Sequence, residues 1–306
     1  MKNLYLKLKK LKTILRNIYS IDQKIKQNLL TIDYEKAILE NNFKNILSYE
    51  ETKEPQIIVS LTTYNKRIYD VHLTIESLFR QTIMPNKIIL WLAEDEFNEN
   101  SIPEMLKRLQ KKGLEIGFCK DLKSYKKLIP TLKKYPNQIV ITVDDDVIYP
   151  YDFLENMYIE YLKDKECVYF YRGHKMTFDK KRKINTYDNW IGDYQGEEKT
   201  FLTLPTGIGG VLYPPKCFDK EILDESQFMK LAPRADDIWF KAMTLKNGVK
   251  CKKIKLTKEF HKKFINLEDG QDIALCKVNV NENQNNIQLK AVFDYYNLWD
   301  KLEGEE

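Results

Sequence analysis

Residues 138–150 read QIVITVDDDVIYP, and the carboxylates of Asp144, Asp145 and Asp146 close a run of Ile, Val and Thr. Adjacent like charges repel and Asp is a poor strand former, so the triplet works against the strand it ends. A turn needs one Asp. Three suit a hard cation such as Mg²⁺ or Mn²⁺, which takes carboxylate oxygens and commonly binds through one or two of them plus substrate phosphates. The alternative is an exposed acidic turn. A second acidic pair, Asp236 and Asp237 in ADDIWF, opens a segment of helical character. A helix N-terminus favours acids, and capping accounts for one of the two. The other is placed to take a proton from an attacking hydroxyl. Between the two sites, PTGIGGVLYPP sets Gly207, Gly209 and Gly210 within four residues, which permits close approach of backbone to a ligand. No Lys-Ser/Thr follows, so this is not a phosphate loop. A turn before a strand explains the glycines equally well.

These residues need a frame. From residue 56, β-rich runs (QIIVSL, NKIILWL, LEIGFC, QIVITV) alternate with helical segments (DVHLTIESLFRQ, IPEMLKRLQKKG, SYKKLIPTLKKY). Such alternation predicts a mostly parallel sheet covered on both faces, with ligands outside the carboxyl ends of its strands. The triplet falls at such an end. Beyond it the sequence predicts a helix in YPYDFLENMYIEYLKD and a strand in CVYFYRGHKM. A helix in ADDIWFKAMTLKNG, a strand in VKCKKIKL and a C-terminal helix in NNIQLKAVFDYYNLWDKL follow. The expected organisation is a helical extension at 1–50, with YEETKEPQ as linker, an α/β body at 55–275 and a helical segment at 276–306.

With 306 residues, 43% of them hydrophobic and 12% aromatic, the chain can bury a core. Its net charge of +5 is uneven. Residues 1–20 hold six Lys or Arg and no acid, which leaves the rest at −1. A near-neutral body argues against a nucleic-acid binder. Leu4, Leu8, Leu11, Leu15 and Ile18 form one stripe of a basic amphipathic helix. It suits an anionic membrane surface, or packing on its own domain or a second copy. Cys119, Cys167, Cys217, Cys251 and Cys276 show no metal or redox spacing, so buried free thiols in a reducing cytoplasm are expected. No run is long and apolar enough to span a membrane, and lysines interrupt any signal-peptide-like stretch.

Taken together, IIVSLTTYNKRI, TIESLFRQTIMPNKIILWLAEDE, SYKKLIPTLKKYPNQIVITVDDDVIYP, TGIGGVLYPP and ADDIWF occur in the order seen in glycosyltransferases of the GT-A (Rossmann-like) fold. The chain resembles bacterial family-2-like members over roughly residues 56–265. The SL..QT element and the strand-terminal acids are the most specific parts. The resemblance implies a nucleotide-sugar donor, a glycan or lipid-linked acceptor and a Mn²⁺ or Mg²⁺ ion. It makes the triplet a DxD motif, with Asp146 the first metal ligand and Asp144 contributing to metal and donor; Asp145 is grouped with the donor site. Thr62, Tyr64 and Arg67 would line the nucleoside pocket, and Lys127 would face the donor. Gly209 and Gly210 would lie beneath the donor sugar. Asp237 would be the base of an inverting reaction, with Asp236 beside it. His261 would supply a third metal ligand; a surface histidine among the lysines of KEFHKKF is the alternative. Arg172, His174 and Trp190, with Tyr187, would reach the acceptor; a buried aromatic is the alternative for the last two. Haloacid-dehalogenase-like phosphatases also end an apolar strand in Asp-x-Asp, but on their first core strand. A non-catalytic scaffold of the same fold is the other alternative.

Overall fold

The computed structural model of the chain describes residues 2–40, 47, 55–267, 283–302 and 305, with backbone alone at 2–8, 15 and 16. The expected helical residues beyond 40 (47 excepted), most of the expected linker and Cys276 lie outside them. The chain forms two compact units, Met1–Asn42 and Phe43–Glu306. The first is one helix, α1 (Lys2–Glu40).

The second unit is built on β1 (Ile57–Thr62), β2 (Lys87–Ala93), β3 (Leu114–Cys119), β4 (Ile139–Thr142), β5 (Val147–Ile148), β6 (Val168–Phe170), β7 (Gly173–Lys175), β8 (Thr203–Pro205), β9 (Val211–Tyr213), β10 (Cys251–Lys253) and β11 (Ile265–Asn266). Seven of them make one sheet in the order β10-β6-β9-β4-β1-β2-β3. Only β9 runs antiparallel to its neighbours, β4 and β6. This is the mostly parallel α/β sheet that the alternating segments predict. The reason lies in β1, β2 and β4, whose apolar runs do not alternate and are buried almost throughout. β3 is half-exposed, as an edge strand can be. Two short antiparallel pairs, β11-β5 and β7-β8, stand apart from the sheet. The single strand expected over CVYFYRGHKM is therefore two, and the break between them falls at Tyr171 and Arg172.

The helices of this unit are α2 (Val71–Leu78), α3 (Glu104–Lys112), α4 (Ile129–Lys134), α5 (Phe153–Lys163), α6 (Glu225–Leu231), α7 (Asp236–Lys246), α8 (Phe260–Lys263) and α9 (Gln284–Tyr295). Pro130 sits in the first turn of α4, where its missing N–H costs nothing. α9 buries Leu289, Val292 and Phe293 in the same core cluster as Trp239, Phe240 and Met243 of α7. The C-terminal helix thus packs as part of the α/β body.

All eight residues of α2 are buried, four of them polar or charged (His72, Thr74, Glu76, Ser77). Glu76 is met by Lys112 at 2.8 Å and by Arg80 at 2.9 Å. Thr74 and Ser77, with Gln81 and Thr82 just after the helix, grip the chain that follows β4. Thr74 Oγ1 donates to the Asp145 carbonyl, and the Tyr149 N–H donates to Ser77 Oγ. Gln81 donates to the Pro150 carbonyl and accepts from the Leu154 N–H, while Thr82 reaches Glu155. The SL..QT element is this clamp.

On the far side of β4 the chain turns sharply before β9. Gly210 has φ +75°, and a Cβ there would lie 2.5 Å from the Phe153 ring. Both conditions require glycine. Gly210→Ala is expected to destabilise the protein by about 2–3 kcal/mol, read as a lower urea midpoint at unchanged m-value.

Candidate active site

A cleft of about 680 Å³ opens where β1 and β4 end. That is the carboxyl edge of the sheet, the usual ligand position in such folds. Among its walls are Thr62, Tyr64 and Arg67 after β1, the acidic triplet after β4, Lys127 before α4, Gly207, and Asp236 and Asp237 at the start of α7. Arg172, His174 and Tyr187 complete it on one side. Residues far apart in the sequence are thereby brought to one place.

The three acids of the triplet differ in what holds them. Asp145 points inward: Oδ1 accepts from Arg67 Nη1 at 2.7 Å and Oδ2 from Thr63 Oγ1 at 2.6 Å. Burial raises its pKa in spite of Arg67. Each oxygen thus has a protein partner, so Asp145 braces the turn, while the residue still lies among the cleft walls. Asp146 Oδ2 lies 3.1 Å from Arg67 Nη2 while its side chain borders the cleft. Asp144 is 30% exposed and pairs through Oδ1 with Lys127 at 3.1 Å. Its backbone N–H donates to the buried Tyr149 hydroxyl, so the carboxylate is aimed from a fixed backbone. Asp144 Oδ2 has no hydrogen-bond or ion-pair partner among the described residues. A single arginine therefore screens two acids and leaves the outer pair to face the cavity.

Lys127 joins the two acidic motifs. Its buried ammonium is 3.1 Å from Asp144 Oδ1, 3.0 Å from Asp236 Oδ2 and 3.9 Å from Asp237 Oδ1. Burial alone would lower its pKa, but the three carboxylates outweigh it and hold the amine charged. Asp236 is fixed further by Ser124 Oγ at 2.8 Å. Neither acid caps α7 through its side chain. Asp237 accepts from the Gly207 N–H at 3.2 Å. Burial pushes its pKa up to about 7, with Lys127 opposing and Asp236 and Asp144 adding to the rise. A carboxyl of that pKa is matched to proton transfer near neutrality. Gly207 itself leaves no room: a Cβ would lie 2.5 Å from Lys127 Nζ and 2.7 Å from Asp144 Oδ1.

That assigns the glycines differently from the expectation. Gly207 lines the cleft, whereas Gly209 packs against the Arg172 backbone and Gly210 against Phe153. Trp190 is likewise not brought to the cleft. Its indole is buried, donates to the Asn185 carbonyl and packs on Tyr187, which does face the cavity. His261 lies on the surface with its ring 3.0 Å from Glu259, and is not among the cleft walls. A third ligand from that position has no support. Among the described residues no three His, Cys, Asp or Glu side chains converge on a preformed metal site. His174 is held neutral, its pKa lowered to about 4 by burial and by Arg172, and its Nδ1 accepts from the Asp193 N–H. Burial pushes the Tyr187 phenol up to about 12.

Several site residues escaped sequence reasoning. Ser124, Thr63 and Tyr149 act by orienting Asp236, Asp145 and Asp144, and single hydroxyls carry no sequence signal. Asn285 and Arg234 also line the cleft. α9 fastens this end from outside: Gln288 accepts from the Arg234 N–H at 2.8 Å, and Asn286 accepts from the Tyr187 N–H at 2.6 Å. Of the expected cysteines, Cys167, Cys217 and Cys251 are buried and Cys119 is partly so, all unpaired.

No protein-family model and no curated protein matches the sequence. Among solved structures the chain is similar to CMP:2-keto-3-deoxy-manno-octonic acid synthetase complexed with CTP, at 10% identity and TM-score 0.39, over 66% of this chain and 89% of that one. It is also similar to S. aureus TarS 1–349, at 17% identity and TM-score 0.42, over 67% of this chain and 58% of that one.

Two outcomes test the site's electrostatics. Arg67→Met strands two acids and is expected to cost about 3–5 kcal/mol. Arg67→Met with Asp145→Asn should recover part of that in a double-mutant cycle followed by urea unfolding. For Asp237 the folded pKa is raised. Its contribution to stability is complete below the unfolded value near ~4 and is lost as pH rises through about 7. Asp237→Asn should therefore gain Tm relative to the wild type between pH 5 and pH 8, with little difference at the acid end.

Proposed function

We propose that this protein is a nucleotide-sugar-dependent glycosyltransferase that moves a sugar to a hydroxyl of a glycan or lipid-linked acceptor with inversion. The observation that carries the reading is Lys127, one buried ammonium shared by the strand-end acid Asp144 and the helix-start acids Asp236 and Asp237. It brings the strand-end acid and a carboxyl of raised pKa together around one charge in a single cavity, which supports a diphosphate beside the first and a proton acceptor at the second.

The donor set suits Mg²⁺ or Mn²⁺: hard carboxylate oxygens at Asp146 and Asp144, few enough to leave positions for phosphate oxygens. When bound there, such an ion supplies Lewis-acid neutralisation of the leaving diphosphate. The chain's own residues do the rest. Thr62, Tyr64 and Arg67 form the wall where the nucleoside would lie. Lys127 offsets negative charge beside Asp144 and holds Asp237 in place. Asp237 takes the proton of the acceptor hydroxyl as its oxygen bonds to the anomeric carbon and the bond to the diphosphate breaks. Arg172, His174 and Tyr187 line the same cleft and would meet the acceptor. The acids end the fourth strand of the sheet, which favours this reading over a dehalogenase-like phosphatase.

The test is a panel of UDP-, GDP-, CMP- and dTDP-sugars with and without Mn²⁺, read by nucleotide release and by thermal shift. One donor should give metal-dependent release that Asp146→Asn abolishes. Asp237→Asn should keep donor binding while losing at least ~100-fold in transfer rate. Binding of no nucleotide by the wild type overturns the reading.

A further inference from the structure

The chemistry of the cleft makes no use of α1. Its apolar residues recur with a period that a lone helix does not need. Leu4, Leu11, Ile18, Ile25, Ile32 and Leu39 are spaced by seven, and Ile14 and Ile21 fall three residues after members of that series. These are the a and d positions of a heptad, and a repeat of 3.5 residues per turn keeps one seam facing another helix along a left-handed supercoil. Among the described side chains of α1, eight large apolar residues from Leu11 to Leu39 are between 45 and 64% exposed. At on the order of 100 Å² each they offer roughly 800 Å² per helix, the area one partner brings to a standard stable interface. The helix is about 58 Å long at ~1.5 Å per residue, ample for such a seam.

Charge separates the available partners. Residues 1–20 carry six cations and no acid, whereas residues 21–40 carry three Lys against four Asp or Glu. A basic first half suits an anionic bilayer, but the a-position series continues through Ile25, Ile32 and Leu39, where the net charge is negative. A helix partner uses the whole length. Asn28 and Glu35 occupy d positions, and a polar residue in a seam fixes register between chains.

We propose that α1 is an oligomerisation element that pairs with α1 of a second copy of this chain as a coiled coil. The full chain, examined by sedimentation equilibrium across micromolar concentrations, is expected at two or more times its 36.5 kDa mass. The double variant Ile18→Asp/Ile25→Asp should run as a single chain. Thr13→Asp/Ser20→Asp adds the same two charges off the seam, and should keep the wild-type mass. Both variants should retain the thermal unfolding of the α/β body, so that loss of assembly is not loss of fold. Phosphatidylcholine vesicles with and without phosphatidylserine form the second arm. A wild-type chain of monomer mass overturns the proposal, whether or not it sediments with the anionic vesicles. An assembly that survives Ile18→Asp/Ile25→Asp also overturns it, because another surface would then join the copies.

Discussion

A charged amine cannot be buried without counter-charges, and Lys127 obtains its own from Asp144 at the end of one strand and from Asp236 at the start of a helix far along the chain. Most features of the cleft follow from that requirement. β4 must deliver Asp144 to the ammonium, so its backbone is held by Tyr149. α7 must begin with two acids instead of one. The turn between β8 and β9 must pass so close that only Gly207 fits. Removing the amine would leave three carboxylates facing one another; removing one acid would leave the amine partly uncompensated.

The acidic triplet illustrates how a repulsive sequence becomes a stable structure. Arg67 neutralises the middle acid and steadies the third, and Lys127 takes the first. The energetic cost of clustering is met locally by two cations, one from each side of the sheet's edge. The turn is held in addition through neutral hydrogen bonds from Thr74 and Ser77 of α2 and from Gln81 just beyond it, which satisfy backbone groups between residues 145 and 154. A fully buried helix with polar residues would be costly if those groups had no partners. Here they are the fasteners of the cleft's acidic lip.

What could be read from the sequence divides along physical lines. Uninterrupted apolar runs report strands buried on both faces, so the parallel sheet and the position of its acidic edge were legible. Side chains whose chemistry is rare in a core, such as Asp144, Asp237 and Lys127, were legible as well. The fate of individual atoms was not. Nothing local shows that Asp145 turns inward, because its partner Arg67 lies 78 positions away. Trp190 and His261 have chemistry that suits a site and a surface or core equally, and only packing decides. The glycine run signalled close approach, but not that Gly207 meets the cleft while Gly209 and Gly210 meet protein.

The grip of α9 on the Tyr187 turn and on Arg234, two residues before α7, has a consequence for biosynthesis. A chain still on the ribosome and stopped short of residue 284 already contains all five carboxylates of the triplet and the α7 pair, and both of the cations that balance them. It lacks the side chains of Asn286 and Gln288, which hold the backbone at Tyr187 and at Arg234. The charged groups of the cleft are thus synthesised before the two side chains that fasten this end of it.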